Sequence, residues 1–423
     1  MLKISSGNVC TPLGFRANGI HCGIRKNQSK RDLTLIVSDV PCTAAAVYTQ
    51  NRVKGAPLLV TRDHLKDGHA QAVIVNSGNA NTCNADGVEV AERMTEITAA
   101  QLGLKPDDVC VSSTGVIGKP LDITPIVNGL PSLIAGLARD QEHGEYASQG
   151  ILTTDTRMKQ IAVEFTAGGK TCHIGAIAKG SGMIHPNLAT MLVFITTDCA
   201  VSSEMLQKAL SHDVQKTFNM TSVDGDTSTN DHVLLLANGL AGNEPITSEG
   251  PDFTAFMEAL NTVTIHLCRM IAGDGEGATK LLECAVTGAP DCQTAKMLEC
   301  RVVGAKTDKD ARIAAKAVIT SSLVKTAMFG ADANWGRVLC AIGYSGADVD
   351  VNKVELSFES KAGVIPVCVD GAGIPFSEDI AKKVLLEPEI NILIDLHDGE
   401  GKATAWGCDL TYDYVKINGD YRT

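Results

Sequence analysis

The sequence predicts an α/β fold spread over more than one domain, and three observations carry that prediction. Short apolar runs of strand type are interleaved with segments whose apolar residues recur at helical spacing. Hydrophobic residues make up 44% of the chain and charged residues 20%, with 40 glycines to supply turns. The 423 residues exceed one ordinary core and fit two or three domains.

Taken in order, Ala72 to Val75 (AVIV) reads as a strand closed by the turn-prone stretch NSGNANTCNADG. Val88, Ala91, Met94 and Ile97 then recur at helical spacing, Leu102 extends the apolar side, and Gly103 with Pro106 supplies a stop. The apolar VCV before SSTGVIG, residues 112–118, reads as a strand, after which the N–H groups near Gly115 turn outward. Such a turn is either an ordinary tight turn or a cradle for an oxyanion. Met158 to Phe165 and Thr171 to Ala178 alternate on either side of AGGK, predicting a hairpin. The loop from Gly180 to Ala189 then connects strands, with Thr190 at the mouth of the apolar run Met191 to Ile195. Helices are expected over Ser203–Phe218, capped by Ser202 or Ser203, and over Phe253–Ile271.

A boundary is expected at Thr287–Gln293, where TGAPDCQ interrupts two periodic regions. Beyond it, residues 308–329 form one long helical pattern. NILIDLHDG followed by KATAWGCDLTYDYVKI reads as a hairpin, whose strand pattern runs almost to Thr423.

Several function classes drop out. A net charge of −12 without a basic cluster argues against nucleic acid. No segment reaches the ~20 apolar residues of a membrane span, and the first residues lack a signal-peptide pattern. A cytoplasmic, small-molecule protein is the expectation. Most of the 14 cysteines, scattered without a C-x-x-C pair or a Cys-His cluster, read as reduced core residues, and none as part of a metal site. GDGEGATK, residues 273–280, lacks phosphate-loop spacing, and DGAG, residues 370–373, lacks a dinucleotide fingerprint. DGDTSTND, residues 224–231, resembles the start of a calcium loop, but Thr229 and Leu235 occupy its glycine and glutamate positions, so a hydrogen-bonded turn is expected. His185 and His232 have no helical partner and read as satisfied or surface histidines.

One segment, KGSGMIHPNLATMLVFITTD, closely resembles the self-cleaving segment of the glutamate N-acetyltransferase family, also called ornithine acetyltransferase, of arginine biosynthesis. The motifs NSGNANTC, SSTGVIG, ILTTDT, SVDGDTSTND, GDGEGATK, GADANWGRV and the ending INGDYRT follow the family in order, so the similarity covers essentially the whole chain. The resemblance implies a layered α-β-β-α catalytic core over residues 1–287 and a smaller carboxyl-terminal α/β domain over 288–423. It implies self-cleavage between Ala189 and Thr190 into chains 1–189 and 190–423, assembling as two of each. The Thr190 hydroxyl attacks the preceding carbonyl, water opens the ester, and the new α-amine, whose ordinary pKa is ~8, becomes the proton acceptor.

By the same resemblance, Thr190 takes the acetyl group of N-acetyl-L-ornithine and passes it to L-glutamate, with Thr114 and Gly115 holding the oxyanion. Thr153, Lys179, Glu276, Asn418 and Thr423 match its substrate-contacting positions; Lys179 suits a carboxylate and Glu276 an ammonium group. No cofactor or metal is implied. Acetyl-CoA as a second acetyl donor stays open, as does inhibition by ornithine. His185 and Gly419 stand where the family often has a smaller residue and Ala. Two rivals stand beside transfer: an aminopeptidase or amidase using the same self-made nucleophile with water as acceptor, and a metabolite-binding protein that never cuts itself.

Overall fold

A computed structural model describes residues 2–51, 53–185, 191–278, 281–284 and 300–419. By its contacts the chain divides into two compact units. The first holds 1–180, 186–218 and 227–267; the second holds 181–185, 219–226 and 268–423. The expected boundary at Thr287–Gln293 lies outside the described residues.

The first unit carries β1 Lys3–Ser5, β2 Phe15–Ile20, β3 Leu33–Tyr48, α1 Ala56–His64, β4 His69–Asn79, α2 Gly87–Leu102, β5 Val109–Val116, α3 Thr124–Ala135 and α4 Gln141–Ile151. It continues through β6 Lys159–Ala167, β7 Lys170–Lys179, β8 Leu192–Thr197, α5 Ser203–Asp213, β9 His232–Ala237 and most of α6 Pro251–Ala272. The strands run in the order β1-β6-β7-β8-β9-β3-β4-β5, with β2 also on β3.

The long strand β3 organises this sheet. Its register on β4 slips between Val37 and Cys42; its first half also pairs with β2, its second half with β9, and β4 follows it on both sides of the slip. Because side chains alternate across a strand, β3 and β4 feed two cores. Leu35, Val37 and Ile74 pack with Met94 and Leu130 of α2 and α3. Ile36, Val73 and Val75 pack instead with Ile177, Leu192, Phe194 and Leu234 of the opposing strands. Beyond those strands Phe165 of β6 meets Phe256 of α6 edge to face at 6.1 Å. Helices, strands, strands and helices therefore stack in the α-β-β-α order.

The second unit carries β10 Leu281–Cys284, β11 Cys300–Ala305, α7 Asp308–Thr320, α8 Ser322–Phe329, α9 Trp335–Gly343, β12 Glu355–Ser360, β13 Gly363–Val369 and β14 Ala372–Gly373. It ends with α10 Glu378–Leu385, β15 Glu389–Asp395, β16 Gly401–Cys408 and α11 Tyr412–Gly419. Buried Ala311, Ala314, Ala315 and Val318 form the apolar side of α7, which lies against β11 and β16.

Several elements differ from expectation for identifiable reasons. β15 and β16 are no hairpin: β10 and β11, end to end in one lane, pair parallel with β15 and antiparallel with β16. The pattern over 308–329 is two helices, because Ser321 is extended (φ −66°, ψ 112°) and its side chain accepts from the Val324 N–H, capping α8. The segment DYVKI, read as strand, is the helix α11, whose Asp413 in the first turn and Lys416 in the last suit the helix dipole. The strand expected at Ala72–Val75 runs from His69 to Asn79, absorbing part of the predicted turn. The helix from Ser203 stops at Asp213, five residues early, and Ser202 is its cap, accepting from the Met205 N–H.

Among the described residues Cys10, Cys42, Cys110, Cys172 and Cys199 are buried free thiols. Burial pushes Cys42 up to about 12, so it stays an inert thiol. Cys300 is disulfide-bonded and stands outside the reduced majority. No described helix is long and apolar enough to cross a membrane.

Candidate active site

Thr114 and Gly115 sit on β5, which does not end in the predicted turn but continues parallel to β4 through Val116. The register shifts at Gly78 and Asn79, so that Asn79 stands opposite both Thr114 and Val116. Gly115 takes φ +131°, and a Cβ there would lie 2.4 Å from the Gly78 carbonyl carbon. Only glycine fits, and the bulge directs consecutive peptide groups differently from a regular ladder. Thr114 is 8% exposed.

The asparagines of NSGNANT, read from sequence as turn formers, build the surroundings of this bulge. Asn76 Oδ1 accepts from Ser113 Oγ at 2.6 Å, and its Nδ2 donates to the Asn79 carbonyl at 3.0 Å. Asn79 Nδ2 donates to the carbonyls of Lys119 (3.0 Å) and Pro120 (3.1 Å). His232, fully buried on β9, places Nε2 2.8 Å from Ser112 Oγ. Burial lowers its pKa to about 4, so the ring is neutral at pH 7. His232 is thus a satisfied core histidine bracing the strand that carries Thr114.

Thr153 and Lys179 are tied to one buried carboxylate, Asp155, to which the motifs assigned no role. Asp155 Oδ1 accepts from Lys159 Nζ and from the Gly180 N–H, both at 2.7 Å, and Oδ2 accepts from the Thr153 N–H at 3.0 Å. Both side chains of the Asp155–Lys159 pair are wholly buried. Burial alone would raise the Asp155 pKa, but the charges of Lys159 and Lys179 and these hydrogen bonds hold it far below the carboxylate range. The i, i+4 spacing of Asp155 and Lys159 was the available signal. Asp155 therefore fixes Thr153 and the residue after Lys179, at the end of β7.

In the second unit Glu276 is 7% exposed, and its backbone N–H donates to the Ser181 carbonyl at 2.9 Å. Asn418 on α11 donates from Nδ2 to Glu276 Oε2 at 2.8 Å. A Cβ at Gly182 would lie 2.4 Å from the Glu276 carboxylate, so the glycine of KGSG is what permits this approach. Asp224 accepts from the N–H groups of Met183 (2.6 Å) and Ile184 (2.9 Å) and from Asp226 N–H at 3.1 Å. The DGDTSTND carboxylate thus grips the segment that leads to the expected cut. His185 Nδ1 is 3.2 Å from Ser222 Oγ, and burial, followed by the charge of Lys316, lowers its pKa to about 4.

Ala189, Thr190 and Thr423 lie outside the described residues. The structure thus brings Glu276 together with Asn418, and ties Thr153 to the end of β7 beside Lys179.

The ArgJ family profile matches residues 16–299 and 294–423. The chain belongs to the ArgJ family. Among ArgJ relatives it is 48% identical over 423 residues to the arginine biosynthesis bifunctional protein ArgJ of Caldanaerobacter subterraneus subsp. tengcongensis, covering 100% of both chains. It is 44% identical to the ArgJ crystal structure from Bacillus halodurans, covering 53% of this chain and 97% of that one with a TM-score of 0.48. It is 34% identical to the ornithine acetyltransferase of Mycobacterium tuberculosis complexed with ornithine, covering 45% of this chain and 100% of that one with a TM-score of 0.42.

Proposed function

We propose that this protein transfers the acetyl group of N-acetyl-L-ornithine to L-glutamate through an ester on Thr190. As an ArgJ family member it is an acetyltransferase of arginine biosynthesis. Family membership, with the family matching residues 16–423 and a relative aligning over the whole chain, is the observation that carries the reading. The chemistry of the described residues supports its details.

In the precursor, the Thr190 hydroxyl attacks the Ala189 carbonyl, the peptide C–N bond breaks, and the amine of Thr190 leaves. Water then opens the ester, releasing the Ala189 carboxylate and regenerating the hydroxyl. In the mature enzyme the α-amine takes the hydroxyl proton as Thr190 attacks the acetyl carbonyl, and returns a proton to the departing ornithine nitrogen. Glutamate's amine then attacks the acetyl ester, giving N-acetyl-L-glutamate and the free hydroxyl. Thr114 and Gly115 hold the oxyanion of each tetrahedral intermediate, where one donor contributes ~3 kcal/mol to lowering the barrier. Lys179 pairs with a substrate carboxylate, Glu276 with the ammonium of ornithine, and Thr153, Asn418 and Thr423 complete the substrate contacts. Acetyl-CoA as a second acetyl donor, a cytoplasmic location and a heterotetramer of two chains 1–189 and two chains 190–423 belong to the same proposal.

The test compares wild type with T190A. Wild type runs as two chains on a denaturing gel and the variant as one chain of 44.5 kDa, without transfer. Acetylornithine with and without glutamate then separates transfer from hydrolysis: acetate released equally in both would assign a hydrolase. Glutamate with acetyl-CoA alone reports the second donor. Removing residues 418–423 raises KM for acetylornithine, and an unchanged KM would refute the roles of Asn418 and Thr423.

A further inference from the structure

We propose that Asn230 is a positioning residue that sets the separation between the strand following Thr190 and the Thr114–Gly115 bulge. The proposal rests on the acyl-transfer reading above.

Asn230 is 4% exposed and all four hydrogen-bonding capacities of its amide are engaged. Nδ2 donates to the Ala80 carbonyl at 2.6 Å and to the Ser113 carbonyl at 3.0 Å. Oδ1 accepts from Thr82 Oγ1 and Thr229 Oγ1, both at 2.6 Å. The Ser113 carbonyl belongs to the same planar peptide as the Thr114 N–H, so whatever holds that oxygen also sets the direction of that N–H. Asn230 also lies against Gly55, where a Cβ would come within 2.5 Å of Nδ2, leaving the amide no room to swing.

Two residues further on, His232 opens β9 and faces Leu192 of β8 in parallel register. Its N–H donates to the carbonyl of Met191, the neighbour of Thr190, at 3.0 Å. Its Nε2 meets Ser112 Oγ at 2.8 Å. The three-residue segment 230–232 therefore grips the strand entered from Thr190 by one hydrogen bond and β5 by two. A nucleophile and an oxyanion cradle on different strands need such a brace, because small errors in their separation slow acyl transfer steeply.

Asn230→Asp is the diagnostic variant. It keeps the shape and the oxygen acceptors but withdraws both N–H donors, whereas Thr82→Val leaves the donors and removes one brace from Oδ1. For each, self-cleavage, kcat, KM and melting temperature are measured against wild type. N230D is expected to cut itself slowly and to lose about 10- to 100-fold in kcat with KM within about threefold. T82V is expected to fall in the same direction by a smaller factor. In N230D the introduced carboxyl regains one donor when protonated, so its kcat relative to wild type rises as pH falls, which a merely structural lesion would not produce. Wild-type kcat in both folded variants, or a change confined to KM, overturns the proposal; should N230D fail to fold, T82V decides alone. A wild-type chain that neither cuts itself nor transfers acetyl refutes the functional reading instead, and the two failures are separable.

Discussion

A methyl group added at position 115 would collide with backbone, and backbone cannot rotate away as a side chain can. Gly115→Ala is therefore expected to cost ~3 kcal/mol or more and to abolish transfer, read from the denaturant midpoint and kcat. His232 gives a residue-scale prediction in pH. Its folded pKa of about 4 lies below the ordinary histidine value of 6.5, so the unfolded chain binds the proton more readily. The sign follows: its contribution is complete above pH 6.5 and is lost as pH falls toward 4, at up to ~1.4 kcal/mol per pH unit. Denaturation at pH 7, 6, 5 and 4.5 should show this slope, and His232→Gln should reduce it, leaving the part carried by His185, whose pKa is also lowered to about 4. An unchanged slope would place the titrating group elsewhere.

At the scale of elements, Gly103 contrasts with Gly115. It ends α2 with φ +71°, and nothing lies within 4 Å of where its Cβ would stand. Gly103→Ala should cost only the left-handed strain, ~1 kcal/mol, and leave kcat unchanged. Elements with a strong local signature were legible from sequence: α2 with its glycine stop, the β6–β7 hairpin, and α6. Those misread depend on distant partners. Nothing local in NILIDLHDG or KATAWGC announces that β10 and β11 will lie between them. Nothing in DYVKI excludes a strand except the absence of a lane to join, and Ser321 breaks a helical pattern only through a dihedral. The motifs pointed to Thr114, Gly115, Lys179 and Glu276. The braces at Asp155 and Asn230 emerged from contacts between residues 25 and 117 positions apart.

For the molecule as a whole, the proposed cut falls between two neighbouring strands of one ladder. β7 ends chain 1–189 in the sheet, β8 opens chain 190–423, and they pair from Ile174–Thr197 to Lys179–Leu192. β9 of the second chain in turn pairs with β3 of the first. The two chains should therefore elute together under native conditions and separate only in denaturant, as size-exclusion chromatography with and without guanidinium would show. Fragments that part in plain buffer would contradict this ladder.

That interleaving has an effect on biogenesis. If 1–189 and 190–423 were translated from separate messages, each would leave the ribosome with open sheet edges, and their meeting would become a bimolecular event limited by dilution and by aggregation. A single precursor makes the encounter intramolecular and leaves the proposed scission as the final step of maturation.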